Sequence, residues 1–147
     1  MTRSERLNPV RKIAENKERD AARYMGECLR ELAEHKKRLD ELSLYRDEYS
    51  RKYTAVGKVG IGVTQLNDYR RFINQLNEAI IHQRKKISDM EHEYQQRKTD
   101  WSGAHTRTKV LDKVASRYRS EEDKQADRRE QKVMDEKSQQ RKGPFDR

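Results

Sequence analysis

From residue 14 to residue 56 one stripe recurs in alternating steps of about three and four residues, the spacing of a heptad repeat. It runs Ala14, Glu18, Ala21, Met25, Cys28, Leu32, His35, Leu39, Leu42, Arg46, Tyr49, Tyr53 and Val56. A second stripe follows the same rule through Leu66, Tyr69, Ile73, Leu76, Ile80, Gln83, Ile87, Met90, Tyr94, Arg97, Trp101, Ala104, Thr108, Leu111, Ala115 and Tyr118. Steps of this kind predict helices that wrap around each other with a left-handed seam. Glu18, His35 and Arg46 interrupt the apolar character of the first stripe. Polar residues at seam positions cost stability and help to fix register.

The punctuation between the stripes sets the topology. Asn8 is a helix-capping residue and Pro9 suits a first helical position, so the first helix is predicted over 9–56. Gly57, Gly60 and Gly62 each disfavour helix by about 1 kcal/mol and predict a turn over 57–64, with Thr64 capping the returning helix over 65–118. A connection this short favours antiparallel neighbours and sets opposite each other residues whose numbers add to about 120. The predicted fold class is all-α: a long two-stranded antiparallel coiled-coil hairpin with an extended C-terminal helix. The partner supply for the second helix ends near residue 115. Residues 119–147 are expected to form a charged extension, partly helical and mobile alone, because "SEEDKQADRREQKVMDEKSQQRK" offers only Ala126, Val133 and Met134 as apolar residues. Gly143 and Pro144 are expected to end any helix, and residues 1–8 are expected to be flexible.

Composition narrows the class. The 147 residues are 41% charged and 31% hydrophobic with a mean hydropathy of -1.39, too polar for a thick globular core. No apolar run approaches the roughly 20 residues that span a bilayer, and "MTRSERLNPVRK" has no apolar signal core. The single cysteine excludes an internal disulfide and fits a reducing compartment. A net charge of +9 invites a basic coiled coil that binds nucleic acid. Basic and acidic residues nevertheless alternate, as in "NKERDAAR", which is the pattern of a solvated helical face laced with pairs one turn apart. The basic surplus suits acidic protein partners better.

Candidate chemistry is sparse. Lys58 sits among the glycines, but Val59 follows it where a phosphate-binding loop needs serine or threonine, and a helix precedes where a dinucleotide fingerprint needs a strand. His35, His82, His92 and His105 are scattered, with no metal-binding spacing. Glu78 and His82, one turn apart, read as a surface pair. Cys28 falls on the seam as a small buried residue. Neither catalysis nor a cofactor is expected.

The aromatic residues say more. Seven tyrosines, two phenylalanines and one tryptophan are a generous allowance for so thin a core. Leu42, Tyr49 and Leu76 lie on the stripes, while Tyr45, Phe72 and Ala79 flank them at the heptad position called g. In an antiparallel pair g flanks face g flanks, and Tyr45 should stand level with residue 75. Side and height together place Leu42, Tyr45, Tyr49, Phe72, Leu76 and Ala79 in one patch, either a wide place in the seam or a protein-binding site. Trp101, also on the seam, is expected opposite Ala14 and Glu18. Arg107, Lys109, Lys113, Arg117 and Arg119 follow it as a basic cluster, either an ordinary wet surface or a contact for an acidic partner.

These residues carry a resemblance. "DAARYMGE" and "LSLYRDEY" in the first helix, the glycine turn, "NDYRRFINQLNEAI" opening the second, Trp101 before a basic helix, and the tail "REQKVMDEKSQQRK" together resemble the flagellar FliJ family. That family comprises the general chaperones and ATPase stalk proteins of flagellar type III export. The likeness spans nearly the whole chain, and its nearest neighbour in architecture is the injectisome stalk protein. The resemblance implies a cytoplasmic, non-enzymatic antiparallel coiled coil, peripherally associated with the inner-membrane export apparatus. Its implied partners are the hexameric flagellar export ATPase, the cytoplasmic domain of the export-gate membrane protein, and substrate-specific export chaperones. The gate-binding residues of the family fall on Leu42, Tyr45, Tyr49, Phe72, Leu76 and Ala79. The open end of the hairpin would enter the ATPase ring, with Arg11, Arg107, Lys109, Lys113, Arg117 and Arg119 as candidate contacts. Arg38 stands where the family can carry glutamine, and Gln83 where it can carry histidine.

Overall fold

The computed structural model describes residues 1–141. Gly143 and Pro144, expected to end the second helix, lie outside the described residues. Two helices account for nearly all of the described chain: α1, Arg3–Val59, and α2, Val63–Arg141. Among the described residues there is no strand. The fold is an all-α antiparallel hairpin, and it divides into two compact units. A turn unit comprises Ala21–Trp101, and a terminal unit comprises Met1–Asp20 with the chain from Ser102 onward.

In the turn unit the heptad stripes become the seam. Leu32, Leu76, Ile80 and Ile87 are buried, and Ile80 is only 2% exposed. Every other stripe residue of the unit is half-buried. The antiparallel register is fixed by side chains that meet across it. Tyr49 meets Tyr69 and Phe72, Gln83 reaches His35, and the Lys36 ammonium lies 3.4 Å from the Glu91 carboxylate.

In the terminal unit the buried residues are small: Ala14 and Ala115, the latter 1% exposed. The seam extends beyond the range read from the sequence. Stepping back from Ala14, the half-buried positions are Arg11, Leu7 and Ser4; stepping forward from Tyr118, Glu122 is half-buried. Ser4 donates to Glu122 from both its amide (3.1 Å) and its hydroxyl (2.7 Å).

Three boundaries differ from expectation, each for a local reason. The first helix does not begin at Asn8 and Pro9. It begins at Arg3, because Thr2 and Glu5 form a reciprocal capping box: the Glu5 amide donates to the Thr2 hydroxyl and the Thr2 amide to the Glu5 carboxylate. Pro9 therefore lies inside α1, and residues 3–8, expected to be loose, are helical. The turn is narrower than 57–64. Gly57 is helical, and only Gly60 has positive φ, at 83°. The Gly60 amide donates to the Val56 carbonyl at 3.2 Å, the bond that closes a helix on a left-handed residue. The cap of α2 is Gly62 rather than Thr64, since the Gly62 carbonyl accepts the first helical bond, from Leu66. At the far end α2 continues to Arg141, and residues 123–141 are all exposed.

Candidate protein-docking site

The turn unit carries the aromatic cluster. The Tyr49 and Phe72 ring centroids are 4.5 Å apart with their planes tilted by 58°, within the range in which aromatic pairs attract beyond their buried area. Tyr69 also meets the Tyr49 ring, at 6.2 Å between centroids, and the Lys52 ammonium lies 5.2 Å above the Tyr49 ring. Tyr49 and Phe72 belong to different helices, so their contact brings the two halves of the expected patch together. On α1, Leu42, Tyr45 and Tyr49 follow one another at helical spacing, and on α2 Phe72, Leu76 and Ala79 do the same.

Burial separates these six residues into two groups. Leu76 is 9% exposed and belongs to the core, and Leu42, Tyr49 and Ala79 are half-buried. Tyr45 and Phe72 are 57% and 39% exposed. A partner would touch these two first, and the others would hold them. An open groove lined by Tyr49, Val56, Ile61, Gln65, Asp68, Tyr69 and Phe72 continues the aromatic surface toward Gly60. Ile61, Gln65, Asp68 and Phe72 step along one face of α2 and its lead-in, but Gln65 and Asp68 are polar, so the groove has no apolar periodicity to mark it in the sequence.

Gln83 is occupied within the seam. Its amide nitrogen donates to the His35 carbonyl at 3.0 Å and lies 2.9 Å from His35 Nδ1. Arg38 is exposed, and Trp101 and Cys28 are half-buried. Among the described residues no group of histidine, cysteine and carboxylate side chains could hold a metal ion. No described helix is long and apolar enough to cross a membrane.

The basic cluster belongs to the terminal unit. Arg107, Lys109, Lys113, Arg117 and Arg119 are exposed there. Arg11, grouped with them from the sequence, is committed elsewhere: its Nε and Nη2 donate to Asp112 at 3.0 and 2.8 Å. Nearby, His105 Nδ1 lies 2.6 Å from the Glu18 carboxylate. That contact, helped by a hydrogen bond from Thr108, holds the Glu18 carboxyl below its ordinary value. The hydroxyl and amide of Ser4 do the same for Glu122.

The chain is an all-α hairpin with a capped turn, exposed aromatic side chains in one unit and exposed cations in the other. The family model described as "Flagellar FliJ protein" matches residues 3–143. No curated protein and no solved structure gives a match. The match covers both helices and the turn between them, so the chain belongs to the FliJ family and is a component of the flagellar export apparatus.

Proposed function

We propose that this chain is the general chaperone and stalk of the export apparatus, linking the hexameric export ATPase to the cytoplasmic domain of the export-gate protein. It also helps to cycle substrate-specific export chaperones. In this reading the protein is cytoplasmic and held peripherally at the inner membrane through its partners. The gate docks on Tyr45 and Phe72, with Leu42, Tyr49, Leu76 and Ala79 beneath and beside them. The ATPase ring contacts the exposed cations Arg107, Lys109, Lys113, Arg117 and Arg119. Arg11 contributes there only when it leaves Asp112. The two contacts use different residues, so both partners can be held at once, and the chain need supply no chemistry of its own.

The observation that carries the reading is the exposure of Tyr45 and Phe72 beside the tilted Tyr49–Phe72 pair, in a chain of this family. Large aromatic side chains left open to solvent beside a packed aromatic pair are typical anchors of a protein interface. The test is a pulldown of purified gate cytoplasmic domain and export ATPase by wild type and by Tyr45→Ala/Phe72→Ala. Circular dichroism checks that the variant remains helical. Both substitutions remove exposed rings and spare Leu76, whose loss would damage the seam. Gate binding should fall at least about tenfold with ATPase binding unchanged. Equal gate binding by the two proteins would reject the assigned surface, and failure of wild type to bind either partner would reject the linking role.

A further inference from the structure

In the terminal unit three successive heptads of α1 place a polar residue at the same seam position: Ser4, Arg11 and Glu18. Each has its own partner on α2. Ser4 meets Glu122 at 2.7 Å, Arg11 meets Asp112 at 2.8 Å, and Glu18 meets His105 at 2.6 Å. Beside them, among the described residues of the unit, the buried apolar side chains are Ala14 and Ala115, which remove little surface from water, flanked by the half-buried Leu7, Leu111 and Tyr118. The pairing of this unit therefore leans on polar contacts to carboxylates: the Arg11–Asp112 ion pair, the Ser4 hydrogen bonds to Glu122 and the His105–Glu18 contact. Those contacts are partly open to solvent: the Arg11 and Asp112 side chains are 25% and 47% exposed, and those of His105 and Glu18 are 37% and 23%. Salt screens contacts of that kind, and it does not screen an apolar seam.

We propose that the terminal unit is an electrostatically latched segment, in which residues 4–18 and 105–122 separate reversibly when the three polar contacts are screened or neutralised, while the apolar seam of the turn unit stays closed. Opening would uncover Leu7, Ala14, Leu111, Ala115 and Tyr118, apolar seam residues between the latches. The latch has a register as well as a strength, because each polar group finds its partner in one alignment only.

Acid acts on the same contacts. Glu18 faces His105, Thr108 and Asp112 from α2; His105 and Thr108 favour its charged form, and the Asp112 carboxylate, itself paired with Arg11, opposes it. Glu122 faces Ser4 and the Arg3 amide from α1, with Arg119 beside it on α2. Along their own helices Glu15 and Lys109 stand within a turn of Glu18 and His105. Both carboxyls are held below their ordinary value of 4.5, so their stabilisation is complete above that value and is lost as pH falls through the lowered values.

Amide hydrogen exchange on the full chain tests this, read separately over 4–20 with 102–119 and over 76–90 at one pH. Raising salt from about 50 mM to about 1 M should speed exchange in the terminal segments about tenfold, as loss of three partly exposed polar contacts would. Residues 76–90 should change little. Glu18→Gln/Glu122→Gln, which mimics the protonated carboxyls at constant pH, should exchange faster at low salt and respond less to added salt. Replacing both partners of the ion pair, in Arg11→Leu/Asp112→Leu, should leave the terminal segments exchanging no faster than wild type at low salt and responding less to added salt. Salt-independent exchange of the wild-type terminal segments would overturn the proposal. So would an equal acceleration over 76–90, since the effect would then belong to the whole chain.

Discussion

At the scale of single residues, stability concentrates where the seam is driest. Ile80, 2% exposed, is the largest fully buried side chain. Ile80→Ala removes three buried carbons and opens a gap that neighbouring side chains close only in part. It should cost about 2–3 kcal/mol, the low end for a core position because water reaches a narrow seam easily. Urea unfolding followed by circular dichroism measures this. Tyr45→Ala provides the contrast. At 57% exposure its ring contributes little to folding, and the change should stay within about 0.5 kcal/mol on the same assay.

At the scale of elements, the glycines of one short segment have opposite roles. Gly60 adopts a φ of 83° to end α1, where a side chain is strained whatever the space around it. Gly57 is helical, and a Cβ added there meets nothing within 4 Å. Gly60→Ala should therefore destabilise by about 1 kcal/mol and Gly57→Ala should stabilise by about 0.5–1 kcal/mol, in thermal melts of the two variants. The other end of α1 depends on Thr2. Removing its hydroxyl in Thr2→Ala should cost about 1 kcal/mol and let the first turn fray toward Pro9, seen as faster amide exchange before residue 9.

At the scale of the whole molecule, charge governs the response to solution conditions. The chain carries +9 at neutral pH, and acidification adds positive charge as its 26 carboxylates protonate. Glu18 and Glu122 add a specific term of the same sign, because protonating them breaks contacts that exist only in the folded state. The melting temperature should hold between pH 7 and pH 5 and fall below about pH 4, with a smaller fall in Glu18→Gln/Glu122→Gln. Circular dichroism melts across that range decide it, and an equal fall in both proteins would leave only the general charge effect.

The seam itself was legible in the sequence. Each residue of the two stripes, Ala14 to Val56 and Leu66 to Tyr118, is buried or half-buried, because a heptad spacing leaves one face of each helix with no cheaper place to go. The antiparallel pairing was legible for a related reason: a connection this short favours a return alongside the preceding helix. What the sequence left open was decided by contacts between residues far apart in the chain. Arg11 has no partner in the sequence until the fold sets Asp112 beside it, and how far Leu76, on the stripe and in the patch alike, is closed to solvent is set by packing, which leaves it 9% exposed. Ser4 and Glu122 look like unrelated polar residues, yet their contact across the two helices carries the seam past Ala14 on one and past Tyr118 on the other. Periodicity reports which face of a helix avoids water. Which polar groups on that face are neutralised, and by which partner, depends on the alignment of two helices, and only the tertiary structure sets that.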